Sequence, residues 1–310
     1  MRRAWRRLAG AAILGVVVWQ VGSDSVVDGL RSLDVSVLLL GLAIAAVTTV
    51  ACAWRWHLVA RELGVDVALP AAVAGCYRGQ LLNSVLPGGV LGDVHRGVVH
   101  GRSTGETGRA LRAVGWERAS GQVVQVVVAV LVVAVLPSPV RPVLPWALAG
   151  IGVLVAVTAL VVRSARGEAW WSRVVRTARD DVRLALLVRR SWPGVLVASL
   201  VALAGYAATY VVAARAVGVE APVSTLLPLV LVVLVAAGLP LNLAGWGPRE
   251  GMAAWAFAVA GLGAATGVAT AVAYGTMVLV ANLPGVVLVL ATRGPSTPAA
   301  ATTTRGRIRA

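Results

Sequence analysis

Long uncharged apolar runs dominate this sequence. The stretch 143–162 is twenty residues of Val, Leu, Ala, Ile, Gly, Trp, Pro and Thr without a single charge. A membrane-spanning helix needs about 20 mostly apolar residues, with a range of about 17 to 25. Apolar runs recur at 8–22, 35–54, 71–87, 119–136, 143–162, 194–214, 223–243, 251–265 and 267–291; 71–87, which contains Arg78, and 251–265 are the short or polar ones. Hydrophobic residues make up 58% of the chain and charged residues only 13%, against about 25% charged in an ordinary soluble domain. No soluble core could hide this much apolar surface, so lipid must act as the solvent. The expected fold is all-α, a polytopic transmembrane bundle of about seven to nine membrane segments.

The formal net charge of +15 resembles a nucleic-acid signal, but its distribution points elsewhere. All 28 basic residues are Arg, and they lie between and beside the apolar runs. That is the placement expected next to anionic headgroups, and no nucleic-acid partner is expected. Orientation follows from the same pattern, because basic loops stay in the cytoplasm. Arg2, Arg3, Arg6 and Arg7 place the N-terminus inside, as an uncleaved first helix, since no A-x-A site follows. The loop 23–34 carries Asp24, Asp28 and Asp34 against Arg31, and goes outside. The loop 163–192 is the most basic in the chain and belongs to the cytoplasm; its Trp170 and Trp171 beside Arg173 and Arg176 suit an interfacial helix. The tail 293–310, rich in Pro, Thr and Ala, is expected to be disordered and cytoplasmic, which leaves 1–292 as the transmembrane domain of a multi-pass plasma-membrane protein. Cys52 and Cys76 belong to no CxxC pattern and read as small buried residues.

One segment conflicts with simple counting. If 71–87 crossed the membrane, Arg96, Arg102, Arg109, Arg112 and Arg118 would lie outside with only Asp93, Glu106 and Glu117 to offset them. A re-entrant segment that breaks at Pro87-Gly88-Gly89 and returns removes the conflict. Non-helical backbone at membrane depth survives only when buried in protein or lining a wet cavity, so this break is also a candidate site. Around it lie Asn83, Gly92, Asp93 and Arg96. Gln80 and Asn83, three apart, share a helical face, and so do Asp93 and Arg96. A second interrupted element spans 238–265. It contains Pro240, Asn242, Gly245, Gly247 and Pro248, followed by Arg249 and Glu250. Pro248 suits the first turn of a new helix, and Glu250 would then sit near its N-terminus, where a carboxylate is favoured. Interrupted hydrophobic segments in two halves of a chain point to a transporter binding site.

Glu117 and Arg118 open the 119–136 run. Neighbours on a helix point in different directions, so each needs another partner: Arg96, Arg112 or Arg249 for the acid, and Asp93 or a lipid phosphate for the base. His57, His95 and His100 form no HExxH and have no Cys partner in sequence. Neither a metal nor another cofactor is expected. No nucleophile elbow, Walker loop or dinucleotide fingerprint is present, so enzymatic activity is not expected either.

Three stretches, taken in order, resemble the lysylphosphatidylglycerol synthase transmembrane-region family, also called flippase-like. They are Asn83 to Arg96, Glu117-Arg118, and Leu239-Pro240 through Gly245-Trp246-Gly247-Pro248-Arg249-Glu250-Gly251. The first departs slightly in spacing, with Val90-Leu91 between the Gly pair and Gly92-Asp93. The resemblance implies a helical bundle that handles a phospholipid or lipid-linked substrate, and its best understood members flip an aminoacylated phospholipid. Those members also carry a cytoplasmic synthase domain. It is not expected here, because the chain ends about twenty residues after its last span, and lysylphosphatidylglycerol synthesis is not expected with it. The implied function is lipid transport with an anionic or lipid-linked substrate, at a site formed by Asn83, Asp93, Arg96, Glu117, Arg118, Asn242, Arg249 and Glu250. The alternative is a non-catalytic membrane partner of a glycosyltransferase or other lipid-modifying enzyme.

Overall fold

The computed structural model describes residues 34–86, 89–165, 170–186, 188, 190–238 and 248–291. The expected first span at 8–22, the tail from 293, and Pro87, Gly88, Pro240, Asn242, Gly245 and Gly247 lie outside the described residues. Eleven α-helices are described and no strand: α1 (Val35–Glu62), α2 (Leu69–Val85), α3 (Leu91–Thr104), α4 (Thr107–Val135), α5 (Leu144–Ser164), α6 (Trp170–Asp181), α7 (Trp192–Ala216), α8 (Val223–Ala237), α9 (Pro248–Val259), α10 (Ala264–Ala281) and α11 (Pro284–Ala291). Proline opens several of them, at Pro70, Pro145, Pro193 and Pro248. The first helical turn has no use for the missing amide hydrogen.

Five helices are long and apolar enough to cross a bilayer: α1, α4, α5 with the short turn before it, α7 and α10. Their outer faces confirm the solvent. Helix α5 has no buried residue at all, with Leu154 66% and Leu160 68% exposed. A contiguous apolar surface of this size is a lipid contact and not a soluble exterior.

Four of the remaining helices, α2 with α3 and α8 with α9, form two hairpins that enter from opposite ends of the bundle. Helix α2 starts beside the end of α1 and α3 returns to the same level, where His100 Nε2 on α3 donates to the Val65 carbonyl at 2.7 Å. Between those ends the two helices touch backbone to backbone: a Cβ on Gly92 would collide with the Gly79 carbonyl oxygen. The segment therefore enters and comes back, as the arginine distribution requires. Helix α4 then starts at this end and crosses.

The second hairpin is α8 and α9. Helix α8 stops at Ala237, where a Cβ on the next residue, Gly238, would overlap Gln122 near the middle of α4. Helix α9 runs back antiparallel to α10: Arg249 lies on Gly275, while Ala253 and Phe257 lie against Gly267. Helix α7 reaches its Ala216 end beyond Tyr210, whose ring stacks on Tyr274 of α10 at 5.0 Å. The start of α8 and the end of α9 thus share the end opposite to Glu62. Five crossings and two hairpins make seven segments among the described residues.

Three boundaries differ from the apolar pattern. Within the run 223–243, α8 ends at Ala237, beside Gln122 of α4, and 239–243 lie outside the described residues. The 119–136 run starts twelve residues earlier, at Thr107, because Arg112, Glu117 and Arg118 find partners and need not leave the helix. The 267–291 run breaks at Asn282-Leu283 into α10 and α11.

Candidate functional site

Where the hairpins meet, charge is buried. Arg55 of α1 is 8% exposed, Asp93 and Arg96 of α3 are 8% and 6% exposed, and Glu117 of α4 is 1% exposed. A buried charge is tolerated only when paired and hydrogen-bonded, and here the pairing is a chain. Arg55 Nε and Nη2 donate to Glu117 Oε1 at 2.8 and 2.5 Å. Arg96 Nη2 donates to Glu117 Oε2 at 2.5 Å, and its Nε donates to Asp93 Oδ1 at 2.9 Å. Asp93 Oδ2 accepts from Arg118 Nη1 and from Asn83 Nδ2, the latter at 2.6 Å. The Asn83 side-chain oxygen accepts from the Gly92 amide at 2.7 Å. Five charges alternate in sign, and an amide ties the last acid to the tip of the hairpin.

The inner guanidiniums are saturated. Arg55 Nη1 donates to Ser199 of α7 at 3.2 Å. Arg96 Nη1 faces Cys76 Sγ at 3.4 Å, and its guanidinium carbon lies 4.7 Å from the centroid of the buried Trp56 ring, a cation–π contact. Glycine makes room for Arg55: a Cβ at Gly121 would overlap its guanidinium. Arg118, at the chain's end, differs. Its side chain is 43% exposed, and among the described residues its one hydrogen bond is to Asp93.

The second hairpin contributes a smaller unit. Arg249 donates to its neighbour Glu250 through Nε at 2.9 Å and through Nη2, with Glu250 in the first turn of α9. The guanidinium sits 5.5 Å from the Tyr274 ring and against Gly275. Both units line one cavity of about 470 Å³. Its charged residues are Arg55, Asp93, Arg96, Glu117, Arg118, Arg249 and Glu250, so four guanidiniums face three carboxylates. The rest of the polar lining is neutral, and includes Gln80, Ser84, Gln122, Gln125 and Asn282.

Of the residues expected from sequence, Asn83, Asp93, Arg96, Glu117, Arg118, Arg249 and Glu250 all line this cavity, and so does Gly89 at the first break. Gly92 forms the helix crossing beside it, and Pro248 opens α9. The pairings of Glu117 with Arg96 and of Arg118 with Asp93 are those the spacing suggested. Arg112 and Arg249 do not reach Glu117; they pair with Asp181 and Glu250. His57 Nδ1 donates to the Val67 carbonyl at 2.7 Å, just as His100 donates to Val65. Among the described residues no three His, Cys, Asp or Glu side chains are placed to hold a metal ion.

These elements occur in one order: a hairpin with Asn83, Asp93 and Arg96, a helix carrying Glu117-Arg118 in its first half, then a helix whose first turn holds Arg249-Glu250. A family model described as lysylphosphatidylglycerol synthase TM region matches residues 5–285. The chain belongs to that family. No curated protein and no solved structure is significantly similar to it.

Three further lining residues, Arg55, Gln122 and Gln125, are not among the site residues expected from the sequence. The available signal was polarity inside an apolar run. Gln122 and Gln125 lie four and seven residues after Arg118, one helical stripe. Ser199, Cys76 and Trp56 carry no comparable signal.

Proposed function

We propose that the protein moves a phospholipid or lipid-linked molecule between the leaflets of its membrane. The headgroup would pass through the cavity while the tails stay in lipid. The observation that carries this reading is the position of the cavity. It is polar, charged, inside a bundle whose outer surface is apolar, and it lies where hairpins from opposite ends meet. Broken helices at such a point give a site that opens to either face when one unit rocks against the other. The chain would act as a carrier, with no bond made or broken.

Orientation follows from the same physics. Arg61, Arg102, Arg109, Arg112 and helix α6 with Arg173 and Arg179 gather at the Glu62 end. Among the described residues the opposite end carries Asp34, Arg141, Arg215 and Glu220, a balanced set. We assign the Glu62 end to the cytoplasm of a plasma membrane.

The test is translocation of fluorescent phospholipids by purified protein in liposomes, read by a membrane-impermeant quencher. Label that becomes accessible beyond the outer leaflet's share, and stays protected with the Arg249→Ala, Glu250→Gln double variant, supports the reading. Protein that moves no lipid, but co-purifies in stoichiometric amount with a lipid-modifying enzyme, would replace it with the partner-subunit reading.

A further inference from the structure

The cavity also discriminates between kinds of headgroup, an inference that rests on the transport reading above. A cationic headgroup needs a carboxylate with free acceptor capacity. Glu117 gives one oxygen to Arg55 and the other to Arg96. Asp93 gives one to Arg96 and the other to Arg118 and Asn83. Glu250 is held by Arg249. Among the described residues every acid lining the cavity already carries a guanidinium, and the excess of one Arg gives that lining a positive balance. It therefore repels an ammonium headgroup and attracts an anionic one.

The donors available to an anion can be singled out. Arg55 and Arg96, with side chains 10% and 6% exposed, spend all their nitrogens inside the network. Arg118, which lines the cavity, bonds through Nη1, and among the described residues its Nε and Nη2 make no hydrogen bond. Arg249, 26% exposed, spends Nε and Nη2 on Glu250 and leaves Nη1. Guanidinium is the natural partner of a phosphate. Further along the α4 stripe, Gln122 and Gln125 line the same cavity, half-buried and without a hydrogen-bond partner among the described residues. They stand about 6 and 10 Å from Arg118 along the helix axis, at 1.5 Å per residue. A glycerol or sugar attached to the phosphate covers the shorter distance. Primary amides both donate and accept, as hydroxyl recognition requires.

We propose that the cavity selects an anionic phosphodiester lipid with a hydroxyl-bearing headgroup, its phosphate on Arg118 and Arg249 and its hydroxyls on Gln122 and Gln125. The experiment is a binding titration of the full chain in detergent, followed by tryptophan fluorescence and native mass spectrometry. The probes are dioctanoyl phosphatidylglycerol, phosphatidic acid, phosphatidylcholine and lysylphosphatidylglycerol, with glycerol phosphate and inorganic phosphate as soluble counterparts. Phosphatidylglycerol should bind at least about tenfold more tightly than the zwitterionic or cationic lipid. Arg118→Gln should weaken it about 10- to 100-fold, the loss of hydrogen bonds to a charged group. Gln122→Leu should weaken phosphatidylglycerol and leave phosphatidic acid, which has no headgroup hydroxyl, unchanged. That lipid-by-variant pattern is one a folding defect would not produce.

Equal or tighter binding of phosphatidylcholine or lysylphosphatidylglycerol would overturn the proposal. So would indifference of all four lipids to Arg118→Gln. Glycerol phosphate binding as well as the lipid would keep the chemistry and overturn the lipid as its source. Selective binding without movement in liposomes would refute transport and leave the headgroup assignment standing.

Discussion

The two hairpins are written in the same vocabulary, a helix break followed by an acid and a base, yet they hold their charges differently. In the α2–α3 hairpin every ionic contact but one joins different helices: Arg55 to Glu117, Arg96 to Glu117, Arg118 to Asp93. In the α8–α9 hairpin the pair is Arg249 with the next residue, Glu250. A bond between neighbours fixes no tertiary geometry. The first hairpin is therefore stitched to α4, and through Glu117 and Arg55 to α1 and α7, whereas the ion pair of Arg249 stays within its own helix. The contrast suggests a fixed element and a movable one on either side of the cavity.

The largest expected effect comes from cutting the stitched network at its centre. Glu117→Gln leaves Arg55 buried without its acid and Arg96 with Asp93 alone. Breaking a buried pair costs about 3–5 kcal/mol. Purified protein in detergent should show a fall of many degrees in Tm, or fail to accumulate. Glu250→Gln should cost only about 1–2 kcal/mol, because Arg249 keeps the Tyr274 face and an open cavity. Equal losses in Tm for the two variants would erase the distinction between the hairpins.

A pair of glycines separates them next. At Gly92 an added Cβ meets the Gly79 carbonyl, which is backbone and cannot step aside. Overpacking of this kind costs about 1–3 kcal/mol, so Gly92→Ala should lower Tm clearly. At Gly275 the added Cβ meets the end of the Arg249 side chain at 2.6 Å. A flexible head can move, so Gly275→Ala should leave Tm within a degree or two and instead reduce transport by displacing the guanidinium. A stable Gly92→Ala protein would show that the helix crossing is not tight.

Most of this architecture could be read before the structure, for physical reasons that also explain the misses. Lipid imposes a length on a helix, so the runs at 35–54, 143–162 and 194–214 correspond to real spans. The positive-inside rule carries enough information to turn 71–87 into a hairpin. It carries little at 223–243, where Arg215 and Glu220 on one flank and Arg249 and Glu250 on the other balance in sign, and so 223–243 reads as one span. Pairings three residues apart, or set by a few strong charges, were foreseeable for Arg96, Asp93 and Glu117. The contact of Arg55 with Glu117 spans 62 residues of sequence, and nothing local distinguishes a buried arginine near a helix end from one that reaches the headgroups. Its position six residues, nearly two turns, inside Arg61, at the end of a run free of charge, was the available hint.

The smallest expected effect provides the baseline for the comparison. Arg112 pairs with Asp181, docking the basic helix α6 onto α4 at the Glu62 end. The pair resembles those of the network in kind, acid to guanidinium at 2.7 Å, but Arg112 is 40% exposed. Exposed pairs contribute about 0–1 kcal/mol. Asp181 is also held by Trp116 Nε1 at 3.1 Å, so removing the arginine does not leave the buried carboxylate alone. Arg112→Ala should lower stability by less than about 1 kcal/mol, and hydrogen exchange in α6 should rise only modestly. Asp181→Ala should undock the helix, because it removes the acceptor for both donors, and exchange across α6 should then rise throughout. If Arg112→Ala alone released α6, exposure would not predict the strength of these pairs. The inference that the two hairpins differ in mobility, which rests on where each pair is buried and what it joins, would then lose its physical footing.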